Sequence, residues 1–161
     1  MIAVIDAGIV MNTALLPILT GDITIPSSVL AEIKSQQAKH ILEIMIAEKR
    51  LSVISPLPKY LQKIKTVVSN MGQNRLSMQD MDVLAVALMM TKQDEVILYS
   101  DDYGVRNVAH ELRIQSSGVT TSGGNKKRKY KYQCTACGRM YHYLVDDCDI
   151  CGHTKFKRYR R

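Results

Sequence analysis

Every cysteine of this chain falls in one short stretch, as Cys134-Thr-Ala-Cys137 and Cys148-Asp-Ile-Cys151. Two Cys-x-x-Cys knuckles with ten residues between them can set four thiolates tetrahedrally around one structural zinc ion. Glycine follows each knuckle, as Gly138 and Gly152, where a tight turn requires positive φ. Residues Arg139 to Val145 between the knuckles read as a strand. A module shorter than about 40 residues rarely folds without such a staple, so metal binding is expected to supply its folding energy. His142 and His153 are then surface residues, and the preceding three-quarters of the chain must fold without the metal.

Charge divides the chain at the same place. Residues 119–161 carry 11 Lys/Arg against three Asp/Glu, whereas residues 1–118 carry 11 against 12, so the whole formal excess of +7 sits in the tail. Six of the nine aromatic residues lie there as well. Positive charge interleaved with aromatic rings suits phosphate contacts and base stacking. An anionic lipid surface is the competing partner, but the tail has no amphipathic apolar face to insert. The groups expected to grip nucleic-acid phosphates are Lys126, Lys127, Arg128 and Lys129, then Lys155, Lys157, Arg158, Arg160 and Arg161. Tyr141 and Tyr143 alternate along the predicted strand and so share a face, which either stacks on unpaired bases or forms the small core of the ribbon.

No stretch approaches the ~20 apolar residues that span a bilayer. The N-terminal residues Met1 to Asp6 lack the basic flank and cleavage region of a signal peptide. The expected location is cytoplasmic, with no membrane partner, which favours zinc over disulfides at the four cysteines.

Upstream, short apolar runs alternate with helical periodicity. Strands are predicted at Ile2 to Ile5, Leu51 to Ile54, Val96 to Tyr99 and near Ile114. Helices are predicted from Pro26 to about Ser35, Ala38 to Arg50, Tyr60 to Asn70, Ser77 onward, and Tyr103 to Leu112. Gly72 lies just past the third of these. Val83, Leu84, Val86, Ala87 and Met90 mark the buried stripe of the fourth. The alternation predicts an α/β fold, a parallel sheet with helices on both faces. Residues 116–129 are polar, glycine-rich and then basic, a flexible linker by composition. The organisation is therefore an α/β domain over 1–115, that linker, and a zinc ribbon with basic tail over 130–161.

In open parallel sheets, ligands bind beyond the carboxyl ends of the strands. Asp6 ends the first predicted strand, and Asp101 and Asp102 end the third. Helix starts add Glu32 and Asp80. Carboxylates converging on one edge repel unless a divalent cation neutralises them, and oxygen-only ligands select Mg²⁺ or Mn²⁺. One or two such ions can activate water and stabilise the leaving oxygen in phosphodiester hydrolysis. Each acid also has a plainer role. Ser77-Met78-Gln79-Asp80 resembles a capping box with Asp in place of Glu, Glu32 suits a solvated helix face, and Asp101-Asp102 suit a cap and turn.

The blocks Val4-Ile5-Asp6, Ile25-Pro26-x-x-Val29-x-x-Glu32-Ile33, Leu76-Ser77-x-x-Asp80 and Ser100-Asp101-Asp102-Tyr103 resemble, in order and context, those of PIN-domain nucleases. With a Cys-x-x-Cys ribbon following, the chain is similar to the archaeal Nob (Nin-one-binding) family of endonucleases of small-subunit ribosome maturation. The resemblance implies metal-dependent cleavage of precursor rRNA near the mature 3′ end of the small-subunit RNA. It assigns Asp6, Glu32, Asp80 and the Asp101/Asp102 pair to the metal site, with Asp102 the better match of the pair. The family usually places a hydroxyl residue within two positions of the first Asp. Here Ala7 and Gly8 follow Asp6, leaving Asn12 or Thr13 as nearby substitutes. Two rival readings are a non-catalytic assembly factor that docks on the ribosome and a PIN-type toxin ribonuclease. The toxin reading leaves the ribbon unexplained.

Overall fold

Strand β1 (Ile2–Ile5) is apolar because it runs through the middle of the molecule: Ala3, Val4 and Ile5 are fully buried. A computed structural model describes residues 1–14, 16, 19, 21–73, 75–119 and 130–160, with the backbone alone at Arg160. The elements that follow β1 are α1 (Ala7–Met11), β2 (Asp22–Pro26), α2 (Ser27–Glu32), α3 (Gln36–Ala47) and β3 (Leu51–Ile54). Next come α4 (Pro58–Met71), α5 (Met78–Met90), β4 (Val96–Tyr99), α6 (Tyr103–Glu111) and β5 (Gln115–Ser117). The ribbon adds β6 (Tyr130–Cys134), β7 (Met140–Tyr141) and β8 (Phe156–Arg160).

The first five strands form one parallel sheet in the order β3-β2-β1-β4-β5. Sequence order reverses on either side of β1, which creates the crevice beyond the strand ends where α/β sheets bind ligands. Helix α5 packs on β1, β2 and β4 and also touches α2, α4 and α6. Surrounded in this way it is buried nearly all round, Ala85 and Leu88 included, and not only along the predicted stripe.

Three differences from the sequence reading have physical causes. Strand β2 was not anticipated: only Ile23 and Ile25 carry large apolar side chains, and Pro26 read as a helix start. Pro26 does precede α2, while also closing β2 opposite Ile54. The final strand is not at Ile114 but at Gln115–Ser117, polar residues joined to β4 by backbone register alone. Residues 116 and 117, read as linker, thus supply the edge of the sheet. In the ribbon, the strand expected over Arg139 to Val145 shrinks to Met140–Tyr141. Bends at His142 and Tyr143 replace its second half, so Tyr141 and Tyr143 share no strand face.

The ribbon strands form an antiparallel sheet in the order β7-β6-β8. This sheet rests on the end of α4. Gly72 caps that helix at φ 67°, and a Cβ there would lie 2.8 Å from the Tyr132 ring and 3.2 Å from the Tyr130 carbonyl oxygen. Tyr132 is buried, and its hydroxyl donates to the Gly72 carbonyl. Glycine is required twice over, for the left-handed cap and for the close approach of β6. A Gly72→Ala substitution is expected to cost about 1–2 kcal/mol in the cap alone and to wedge the ribbon off α4. Backbone ¹⁵N relaxation checks this: residues 130–160 should tumble with the sheet in the parent protein and separately in the variant.

Candidate active site at the sheet edge and the cysteine centre

Asp6 leaves β1 at its carboxyl end and becomes the N-cap of α1. Its Oδ1 accepts from Ile9 N–H at 2.9 Å, and its backbone N–H donates to the Tyr99 carbonyl of β4 at 3.3 Å. Only 7% of Asp6 is exposed. Burial pushes its carboxyl above the ordinary range. The hydrogen bonds from Ser100 and Ile9 oppose that shift, while the charges of Asp80 and Asp101 add to it. Asp6, Asp80 and Asp101, from three separate elements, therefore share one electrostatic neighbourhood.

Ser100 is fully buried at the end of β4 and brings a hydroxyl to Asp6 from the neighbouring strand. It hydrogen-bonds the Asp6 carboxylate and accepts from Asp102 N–H at 3.1 Å, tying the ends of β1 and β4 together. No local pattern around Asp6 could reveal it, because the partner lies on the neighbouring strand. Asn12, offered as a substitute, caps the end of α1 instead.

The other acids divide by what they touch. Asp80 Oδ2 accepts from the backbone N–H and the hydroxyl of Ser77, both at 2.8 Å, so the capping box is present. Capping and proximity to Asp6 are compatible, since that box engages one carboxylate oxygen. Glu32 ends α2 and accepts from Gln79 Nε2 at 2.5 Å, which ties it to the residue before Asp80. Asp101 Oδ1 accepts from Val119 N–H at 2.9 Å. Asp102 caps α6 through Gly104 and Val105 N–H. Its carboxylate opens on a cleft beside α6, and the carboxylates whose charge acts on Asp6 are those of Asp80 and Asp101. Among the described residues, none of Asp6, Glu32 and Asp80 forms an ion pair with Lys or Arg. A buried carboxylate repelled by two less buried neighbours, Asp80 and Asp101, fits a hard divalent cation, and Glu32 stands exposed beside them through Gln79. They are not drawn together as tightly as the thiolates described next, the one group of acidic, histidine or cysteine ligands among the described residues that closes to within 4.8 Å.

That group is Cys134, Cys137, Cys148 and Cys151. The Sγ atoms of Cys134 and Cys151 are 3.6 Å apart, and those of Cys137 and Cys148 3.5 Å. Zn–S bonds of ~2.3 Å place tetrahedral sulfurs roughly 3.8 Å apart, so the arrangement fits zinc. Burial works against ionising Cys148, yet hydrogen bonds from Tyr141 and from the N–H groups of Ile150 and Cys151 bring its thiol down to about 6. Cys151 receives a favourable bond from His153 N–H, but burial and the neighbouring thiols push it up to about 12. Crowded thiols of this kind need a cation to ionise together. Gly138 and Gly152 adopt φ 76° and 68° as the turns require.

Tyr141 belongs to the ribbon core: it stands edge-on to Phe156 at 5.7 Å and bonds Cys148 and Asp149. Tyr143 is exposed, as are Lys155, Lys157 and Arg158. The basic run Lys126, Lys127, Arg128 and Lys129, with Arg161 and the Arg160 side chain, lies outside the described residues. No described helix is long and apolar enough to cross a membrane.

Comparison with known proteins agrees with this geometry. A family described as the PIN domain of ribonuclease matches residues 3–90. Ribonuclease VapC1 of Thermoplasma acidophilum is 33% identical over 160 residues, covering 99% of this chain and 79% of that protein. Endoribonuclease Nob1 of Methanocaldococcus jannaschii is 40% identical over 126 residues, 77% of this chain and 60% of the relative. Endoribonuclease Nob1 of Methanothermobacter thermautotrophicus is 34% identical over 128 residues, 78% of this chain and 75% of the relative. The chain spans about 60% of the length of the M. jannaschii protein. The VapC1 alignment runs through the cysteines, so the ribbon does not separate the two names. With a parallel sheet whose edge gathers acids and a four-cysteine centre beyond it, the chain belongs to the PIN-domain ribonucleases and is a metal-dependent endoribonuclease of that family.

Proposed function

We propose that this endoribonuclease cleaves precursor small-subunit rRNA near its mature 3′ end, in the cytoplasm, as a step of ribosome maturation. The observation that carries the proposal is the pairing of an acid-lined sheet edge with a basic zinc ribbon seated beside it, in a chain similar to several proteins named endoribonuclease Nob1. In this reading Asp6, Glu32, Asp80 and the Asp101/Asp102 pair hold one or two Mg²⁺ or Mn²⁺ ions, and the four cysteines hold one structural Zn²⁺. The bound divalent ions supply charge neutralisation at the phosphate and acidify water. The side chains do the positioning. Ser100 fixes the Asp6 carboxylate, Ser77 fixes Asp80, and Gln79 holds Glu32 against the same helix start. Lys155, Lys157 and Arg158 with the basic run before the ribbon supply affinity for RNA phosphates.

The match to a protein named VapC1 over nearly the whole chain supports a second reading, a ribonuclease toxin acting on other RNAs. Growth arrest with mRNA or tRNA degradation on overexpression would favour it. Incubation of the purified protein with a 3′-extended small-subunit rRNA fragment and Mn²⁺ separates the readings. A single mapped cut near the mature end supports rRNA maturation, and no cut at all favours a non-catalytic assembly factor.

Asp6→Asn is expected to abolish that cut while leaving RNA binding near the parent value, because Asn caps α1 as well as Asp does. The sign of its stability effect follows from the raised carboxyl of Asp6. A folded-state pKa above the unfolded one favours the fold below the unfolded value, and that advantage is lost as pH rises through the folded value. At neutral pH the ionised group therefore opposes the metal-free fold. Thermal unfolding in chelator at pH 7 should give Asp6→Asn a Tm equal to or above the parent. Added Mn²⁺ should raise the parent Tm more than that of the variant. Stripping zinc with a strong chelator, with metal content measured alongside, should unfold residues 130–160 and weaken RNA binding, while the amides of β1 and β4 keep their protection from exchange.

A further inference from the structure

The ribbon sheet meets the nuclease domain at the end of α4, and a cleft of about 210 Å³ lies between the ribbon and the start of α6. Gln73 and Arg75 enter it from the turn after α4, Asp102 and Tyr103 from the start of α6, and Tyr130 and Arg158 from the ribbon. Strand register explains the last two. Tyr132 pairs with Arg158 across β6 and β8, so Tyr130, Tyr132 and Arg158 project from one face, whereas Lys157 and Tyr159 occupy the other. The Arg158 guanidinium lies 4.4 Å from the centre of the Tyr130 ring, which orients it. Arg158 and Arg75 both line this cleft, one from each side of the joint that Tyr132 latches to Gly72. The floor is polar: Gln73 is only 5% exposed, and its Nε2 lacks a hydrogen-bond partner among the described residues. Gly104 closes the far wall, where a Cβ would stand 3.0 Å from both Asp102 Oδ1 and Leu76.

Two exposed guanidinium groups against one carboxylate make this an anion site, and its position names the anion. Asp102 lines the cleft through its side chain and, through its N–H, binds the Ser100 hydroxyl that also holds Asp6. We propose that the cleft takes a phosphodiester of single-stranded RNA flanking the scissile one, held by Arg75 from the turn after α4 and Arg158 from the ribbon, so that the substrate path is complete only with the ribbon seated. Arg75, Tyr130 and the pairing of Arg158 with Arg75 are not visible in the sequence, where Arg158 is one of several tail cations. The inference rests on the ribonuclease reading.

The test uses the full chain carrying Asp6→Asn, so that binding is read without cutting, and a short single-stranded RNA as probe. Adding Arg75→Ala and Arg158→Ala together should weaken binding about tenfold and reduce the slope of log affinity against log salt by ~0.7, the release expected for one phosphate of a single strand. Arg158→Lys, which keeps the charge, should recover most of the slope. A neutral methylphosphonate walked along the RNA should weaken binding to Asp6→Asn at one position, and that position should fall silent in the triple variant. An unchanged salt slope, or a methylphosphonate pattern identical in both proteins, overturns the proposal. Cleavage by the protein with Asp6 intact is measured in parallel. Loss of the cleft effect with cleavage present refutes the cleft alone, whereas absence of cleavage with the cleft effect intact refutes the nuclease reading.

Discussion

A buried carboxylate that no Lys or Arg among the described residues neutralises is the constraint around which the nuclease half is arranged. Asp6 sits at the end of the central strand, where desolvation and the charges of Asp80 and Asp101 all oppose its ionisation. An arrangement of this kind survives only if backbone and hydroxyl donors hold the group in place and a cation relieves it when the site works. The donors come from two directions, Ile9 N–H in the helix that Asp6 itself begins and the Ser100 hydroxyl on the next strand. Strand order makes this unavoidable: β1 lies between β2 and β4, so whatever follows β1 meets whatever follows β4.

How much of this was legible before the structure depends on how local each signal is. The zinc centre is encoded in spacing along the chain, and the four sulfurs converge as that spacing implies. Strands β1, β3 and β4 and the longer helices carry apolar patterns strong enough to read directly. Strand β2 was hidden because three of its five residues are polar or proline and its stability comes from neighbours on both sides. Strand β5 was displaced because backbone pairing holds it, with no apolar run to announce it. Helix α1 is five residues long and has no periodicity to detect. Ser100 and the Arg75–Arg158 pair were illegible for a deeper reason, since both depend on segments brought together across strands or between sheets.

The acids at helix starts show that structural and chemical duties need not compete. Asp80 completes a capping box with one oxygen while its charge reaches Asp6. Asp102 caps α6 while lining the cleft that faces the ribbon. A cap holds a carboxylate in one rotamer, which is what a binding site needs of its ligands. The capping roles of Asp80 and Asp102 expected from the sequence are present, and the geometry adds that the charge of Asp80 reaches Asp6 and that Asp102 lines the cleft.

The joint between sheet and ribbon has an unusual economy. One phenol lies against a bare peptide at Gly72, with a cation–aromatic stack beside it. A single hydrogen bond contributes only about 0.5–1.5 kcal/mol net, so the seating of the ribbon leans on the one residue that has no side chain to keep the phenol away.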